Sequence, residues 1–257
     1  MMSYFRLVRK SGVSHLKFTR PDKLNALNHE ALRELKEHIR DIEDNDDLIV
    51  LLSGEGNGFC AGGDVSMMED VSGEHSFNNV MKDIEDIVIQ FYLMPKLVIS
   101  AVHGPTVGLG LSLALSTDYV IAKEDAKLSM NFIGVGLLPD GGGHFWLQER
   151  LGTQKAKRLI WEGSSFNGQA AYDVGLVDEV TEEDVERAGL KLAQRWQSQP
   201  LQAMIGTKEV YHRQKFERLK ELLEQERMWQ YELRHTEDHR EGVQAFLQKR
   251  SPNFKGK

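Results

Sequence analysis

The run Leu48-Ile-Val-Leu-Leu-Ser-Gly-Glu-Gly-Asn-Gly-Phe-Cys-Ala-Gly-Gly-Asp64 decides how this chain is read. Leu48 to Leu52 is a short continuous apolar run, the pattern of a strand buried on both faces, and Ser53-Gly54-Glu55-Gly56 ends it. A glycine-rich turn, Asn57 to Asp64, follows at once. The same order returns downstream. Strand Leu97–Val102 leads into His103-Gly-Pro-Thr-Val-Gly-Leu-Gly110, which opens a helix over Leu109–Ser116, and strand Tyr119–Ala122 comes next.

Working outward, Tyr4–Arg9 and Val13–Thr19 read as a hairpin around Lys10–Gly12. Leu27, Ala31, Leu35, Ile39 and Ile42 recur at helical spacing, with Asn28 placed to cap and Glu30 suited to the positive helix start. Val80–Tyr92 is helical up to Pro95. Strands alternating with helices predict an α/β core with largely parallel pairing. Beyond about residue 182 the character changes: 183–197, 201–213, 215–234 and 237–249 all read as helices, with no strand between them.

Composition narrows the class. The chain has 257 residues, 32 Lys and Arg against 39 Asp and Glu, and one cysteine. One cysteine excludes an internal disulfide framework or a Cys-based zinc cage. No apolar run reaches the roughly 20 residues of a membrane helix. The N-terminus alternates like a strand and lacks the features of a signal or transit peptide, so a cytoplasmic protein with no membrane partner is expected. The net charge of −7 opposes broad polyanion binding. The first predicted helix runs into acids up to Asp47, against phosphate contact, so no nucleic-acid partner is expected. His103 and His144 lack a second ligand at metal spacing, and no metal is expected.

The two glycine turns carry the chemistry. Glycine permits positive φ and close approach to the backbone, and free N–H groups at a helix start favour a negative oxygen. Two such turns on neighbouring strands can each aim one N–H at a single oxyanion, stabilising an enolate or a tetrahedral intermediate. The alternative is a pair of tight turns required by packing. Neither turn fits the dinucleotide or P-loop template, and a nucleophile elbow is absent.

Taken together, Arg20-Pro-Asp-Lys-Leu-Asn-Ala-Leu-Asn28, Phe59-Cys-Ala-Gly-Gly-Asp64, His103 to Gly110, Ser116-Thr-Asp-Tyr-Val-Ile-Ala122, Gly136-Leu-Leu-Pro-Asp-Gly-Gly-Gly143, Ala170-Ala-Tyr-Asp-Val-Gly-Leu-Val177 and Phe246-Leu-Gln-Lys-Arg-Ser-Pro-Asn-Phe254 resemble the enoyl-CoA hydratase/isomerase (crotonase) family, in the family's order. The resemblance implies a crotonase-like α/β fold. A spiral of ββα units over 1–195 binds acyl-CoA, and a helical region over 196–257 assembles homotrimers or hexamers. It implies an acyl-CoA thioester substrate in fatty-acid or aromatic-acid metabolism, with coenzyme A as part of the substrate and no separate cofactor. The oxyanion donors fall on the N–H groups of Gly63 and Leu109, with Gly108 in the second turn. The adenine end falls against Asn25, Ala26 and Leu27 and the backbone of Ala61, Gly63, Asp64 and Val65. Lys23, Lys255 and Lys257 are candidate cations for the phosphates.

Family hydratases carry two glutamates around the C2–C3 bond. Here those positions hold Ser112 and Phe132, and neither does the acid–base work of a carboxylate. Asp140, in Leu138-Pro-Asp-Gly-Gly, matches the proton-shuttling aspartate of the family's isomerase branches, and one carboxylate suffices for a 1,3-proton shift. Asp140 is also well placed to cap the helix predicted after the glycines. The expectation is an isomerase using Asp140. The alternatives are a hydratase and an acyl-CoA-binding protein without turnover. Asp64 and Asp118 are expected to be structural. Glu69, Asp70 and Glu74 are lesser acid candidates, and Cys60 reads as a small buried hydrophobe.

Overall fold

The computed structural model describes residues 3–64 and 73–257. Its larger sheet has the order β1-β2-β3-β4-β6-β9, built from Phe5–Lys10, Val13–Phe18, Ile49–Gly54, Leu97–Val102, Tyr119–Lys123 and Glu179–Thr181. Among the described residues of this sheet only the β1–β2 hairpin is antiparallel; β2–β3, β3–β4, β4–β6 and β6–β9 are parallel. A second sheet joins β5 (Pro105–Val107), β7 (Lys127–Ser129) and β8 (Ser165–Phe166).

The apolar runs follow from burial on both faces. Val50, Leu52, Val98 and Val102 point into the main core with α1 (His29–Glu43) and α2 (Glu74–Leu93). Their neighbours Ile49, Leu51, Ile99 and Ala101 pack instead against α7 (Val185–Gln197). Alternate strand residues point to opposite faces, so a strand covered on both sides must be apolar throughout. Asn28 caps α1 as expected, its side chain accepting from the Ala31 N–H.

After each central strand the chain bends into the second layer, and this makes the spiral. β4 turns at His103–Gly104 into β5, which leads to α3 (Leu109–Leu115). Gly104 has φ +50°, and a methyl group there would overlap the Asn57 carbonyl oxygen. Gly104→Ala is expected to cost about 1–3 kcal/mol by overpacking, plus the strain of the left-handed backbone. A lower urea midpoint at unchanged slope checks this.

The remaining helices are α4 (Gly143–Leu151), α5 (Thr153–Glu162), α6 (Gly168–Asp173), α8 (Leu201–Arg234) and α9 (Glu237–Leu247). The expected separate helices 201–213 and 215–234 are one helix of 34 residues. Gln214 carries no break, and neither Gly nor Pro lies between Thr207 and Arg234. Among the described residues, no helix is long and apolar enough to cross a membrane.

Candidate active site

The two glycine turns lie side by side because a short parallel ladder joins them. Cys60 N–H donates to Pro105 O at 3.2 Å and Val107 N–H donates to Cys60 O at 3.0 Å. The segment before α1 completes the first turn: Leu27 N–H donates to Gly62 O and Asp64 N–H donates to Leu27 O, both at 2.8 Å. Asn25 holds this corner with its whole amide. Its oxygen accepts from Arg20 N–H, and its nitrogen donates to the carbonyls of Glu55 and Gly58. Asn25 and Leu27 are buried, whereas Lys23 is exposed.

Gly62 sits at φ +93°, and a Cβ there would lie 2.7 Å from Val107 O and 3.5 Å from the Leu109 nitrogen. The first turn therefore lies directly against the start of α3. Gly108, at φ +55°, turns the chain into that helix, and the Phe132 ring covers it. Among the described residues, neither the Gly63 nor the Leu109 N–H donates to another backbone group. At Leu109 the reason is general, since the first N–H of a helix has no carbonyl behind it.

The Asp140 loop packs onto the same place. Gly141 fits between Leu109 and Ser112, where a Cβ would lie 2.8 Å from Leu109 Cδ1. Ser112 Oγ donates to Asp140 O at 2.7 Å, and Gln230 on α8 donates to Leu138 O at 2.5 Å. Asp140 is not a helix cap: Gly142 stands at the cap position of α4 and has no side chain. The carboxylate at that helix start comes from Glu226, 84 residues away on α8, which accepts from Gly142 N–H at 2.8 Å and His144 N–H at 3.0 Å. Local spacing suggests Asp140 as the cap because it precedes the glycines, but the fold supplies a better-placed carboxylate from another helix.

The Asp140 carboxyl is consequently not taken up by the N–H groups of α4. It is buried, and among the described residues its Oδ1 has no hydrogen-bond partner. Burial pushes its pKa up from 3.8 to about 7; the Glu226 charge adds to the rise, and Arg234 and His144 oppose it. A carboxyl so placed exchanges a proton near neutrality.

Sequence reasoning passed over Glu226. Its signal was the stripe Leu219, Leu223, Glu226 and Gln230, where helical spacing sets a carboxylate on the inward face.

Other candidates lie further out. Asp64 pairs with Arg20 at 2.6 Å. Asp118 is held between Val98 N–H and Lys208 Nζ, and Glu74 is exposed at the start of α2. Burial pushes the Cys60 thiol up to about 12, as suits an inert small side chain. Asp238 holds the backbone at Lys255 and Gly256, beside a groove lined by Leu137, Leu138 and Leu233. Val65, Glu69 and Asp70 lie outside the described residues. Among the described residues, no group of three side chains is arranged to hold a metal ion.

The chain has extensive likeness to known proteins. It is 43% identical over 253 residues to Bacillus subtilis YhaR, whose name gives it provisionally as an enoyl-CoA hydratase/isomerase; the match covers 98% of this chain and 99% of that protein. It is 34% identical to the 1,2-epoxyphenylacetyl-CoA isomerase of Escherichia coli K12 across the full length of both. The crystal structure of an enoyl-CoA hydratase from Mycobacterium avium subsp. paratuberculosis superposes with a TM-score of 0.89 at 26% identity, covering 99% of this chain and all of that one. The family profile described as enoyl-CoA hydratase/isomerase matches residues 8–257. With the crotonase fold, the paired glycine turns and these matches in agreement, the chain belongs to the enoyl-CoA hydratase/isomerase family.

Proposed function

We propose that this protein is an enoyl-CoA isomerase in which Asp140 carries a proton between C2 and C4 of the acyl chain. The observation that carries this reading is the buried Asp140 carboxyl, with an unpartnered oxygen and a pKa raised to about 7, in a loop packed against the start of α3. The thioester oxygen accepts from Gly63 and Leu109 N–H. Asp140 removes the C2 proton of a 3-enoyl-CoA, the negative charge spreads from C2 over the thioester oxygen and C4, and the same carboxyl returns a proton to C4. The product is the 2-enoyl-CoA, and no group is gained or lost. The donors act on charge that develops as the proton leaves, which is where preorganised N–H groups have most effect.

The substrate's coenzyme A lies along Lys23, Asn25–Leu27 and the Ala61–Asp64 backbone, with Lys255 as a further cation. Asn25 contributes through its backbone, since its amide is already spent. Ser112 holds the loop and Phe132 walls the second turn, so neither replaces the glutamates of a hydratase. Exposed Val210, Tyr211, Met228 and Trp229 on α8 support assembly into trimers or hexamers; light scattering tests this.

The deciding assay incubates a 3-enoyl-CoA with the protein in deuterated water. Formation of 2-enoyl-CoA absorbance, with deuterium at C4 in a fraction of the product, supports the reading. Hydration of crotonyl-CoA above background without isomerisation replaces it with a hydratase. No product from any enoyl-CoA leaves a binding protein.

A further inference from the structure

We infer that Glu226 is the positioning residue for Asp140: it caps α4 in place of Asp140 and thereby leaves the Asp140 carboxyl free of the α4 N–H groups, in the loop that packs on the start of α3. This rests on the reading of Asp140 as the proton carrier.

The geometry is specific. Glu226 is 3% exposed, on the inward stripe of α8, and both of its carboxylate oxygens are used. Oε2 accepts from Gly142 N–H, and Oε1 accepts from His144 N–H and lies 2.8 Å from His144 Nδ1. These are the N–H groups of the cap position and of the first turn of α4, which side chains at the start of a helix ordinarily satisfy. The glycines Gly141, Gly142 and Gly143 provide none. Without Glu226, the nearest carboxyl in the chain is Asp140, two residues ahead of Gly142. A cap made by Asp140 turns its oxygens toward backbone N–H groups and away from substrate.

Charge acts in the same direction. Among the described residues, the charged or titratable groups facing Asp140 are Glu226 and Arg234 from α8 and His144 from α4. On α2, Ile84 meets the loop at Gly141, and the neighbouring Glu85 is taken up by Arg227 at 3.2 Å. Glu226 favours the protonated form of Asp140, while Arg234 and His144 favour the ionised form. Burial is the larger cause of the rise and the Glu226 anion adds to it, so the two protonation states lie close in energy near neutral pH, as a group that both takes and returns a proton requires.

The test compares Glu226→Gln and Glu226→Asp with the unmodified protein. The Asp140 carboxyl is followed by carbon-13 NMR in aspartate-labelled protein, its signal identified by its loss in Asp140→Asn. Glu226→Gln should move the Asp140 titration midpoint to lower pH, and the acidic limb of kcat should move with it. Glu226→Asp keeps the charge on a shorter arm. It should hold the midpoint near that of the unmodified protein while lowering kcat on the order of 10²-fold with KM little changed, the effect of misplacing a reacting group.

A midpoint unchanged in Glu226→Gln, in protein that remains folded, overturns the inference even if Asp140→Asn is inactive. A shifted midpoint with full isomerase turnover in Asp140→Asn keeps the Glu226–Asp140 coupling and overturns instead the reading of Asp140 as the proton carrier.

Discussion

Asp140→Asn should lower isomerase kcat by about 10²–10⁴-fold, the contribution of a positioned acid–base group, with a much smaller change in KM. Asn keeps the shape of the side chain and cannot carry the proton. In the unmodified enzyme, kcat/KM should fall on the acidic side with a midpoint near 7, because only ionised Asp140 accepts the C2 proton. The same substitution should raise stability at alkaline pH. Asp140 has a folded pKa of about 7 against an ordinary 3.8, so between those values the folded state holds a proton that the unfolded state has lost. Stability therefore declines as pH rises from about 4 to about 7, and the deficit persists above that window. Asn carries no charge to bury. Its variant should gain on the order of a few kcal/mol over the unmodified protein at pH 8 and close to none at pH 4. Urea unfolding at the two pH values checks the sign. A loss of turnover with a gain in stability is the signature of a buried functional carboxyl, and a helix cap gives the reverse.

The second large effect concerns the oxyanion donors. Leu109→Pro removes one N–H, and proline is tolerated at the first position of a helix. It also removes the leucine side chain that packs on Gly141, so Leu109→Ala is the proper reference. Relative to Leu109→Ala, the proline variant should lose about 10²–10³-fold in kcat, the usual result of deleting one such donor. Binding of a saturated acyl-CoA, measured by calorimetry, should differ little between the two, because the donor acts mainly on charge that develops during reaction. Equal turnover in the two variants removes Leu109 from the hole.

Much of this fold can be read from the chain. The runs Leu48–Leu52 and Leu97–Val102 carry the mark of strands covered on both faces, and α1 with its Asn28 cap follows from a few neighbouring residues. The glycine turns are legible for the same reason, since left-handed backbone at Gly62 and Gly108 needs glycine wherever the rest of the protein lies. Ser112 and Phe132, at the positions where the resemblance would place a hydratase's glutamates, are likewise visible in the sequence.

What surrounds Asp140 is a different matter. From the chain alone, an aspartate ahead of three glycines serves equally as a cap or as a base, because both roles require the same residue in the same place. The fold fills the capping role by bringing Glu226 across 84 residues to the start of α4, which leaves Asp140 available for the role of base proposed above. It also set the two glycine turns edge to edge through the Cys60–Val107 ladder and joined two expected helices into α8. Strand, turn and cap signals depend on atoms within a few residues, so the sequence determines them. The pKa and freedom of a buried carboxyl depend on which distant charges and donors share its low-dielectric surroundings, and packing alone assigns those.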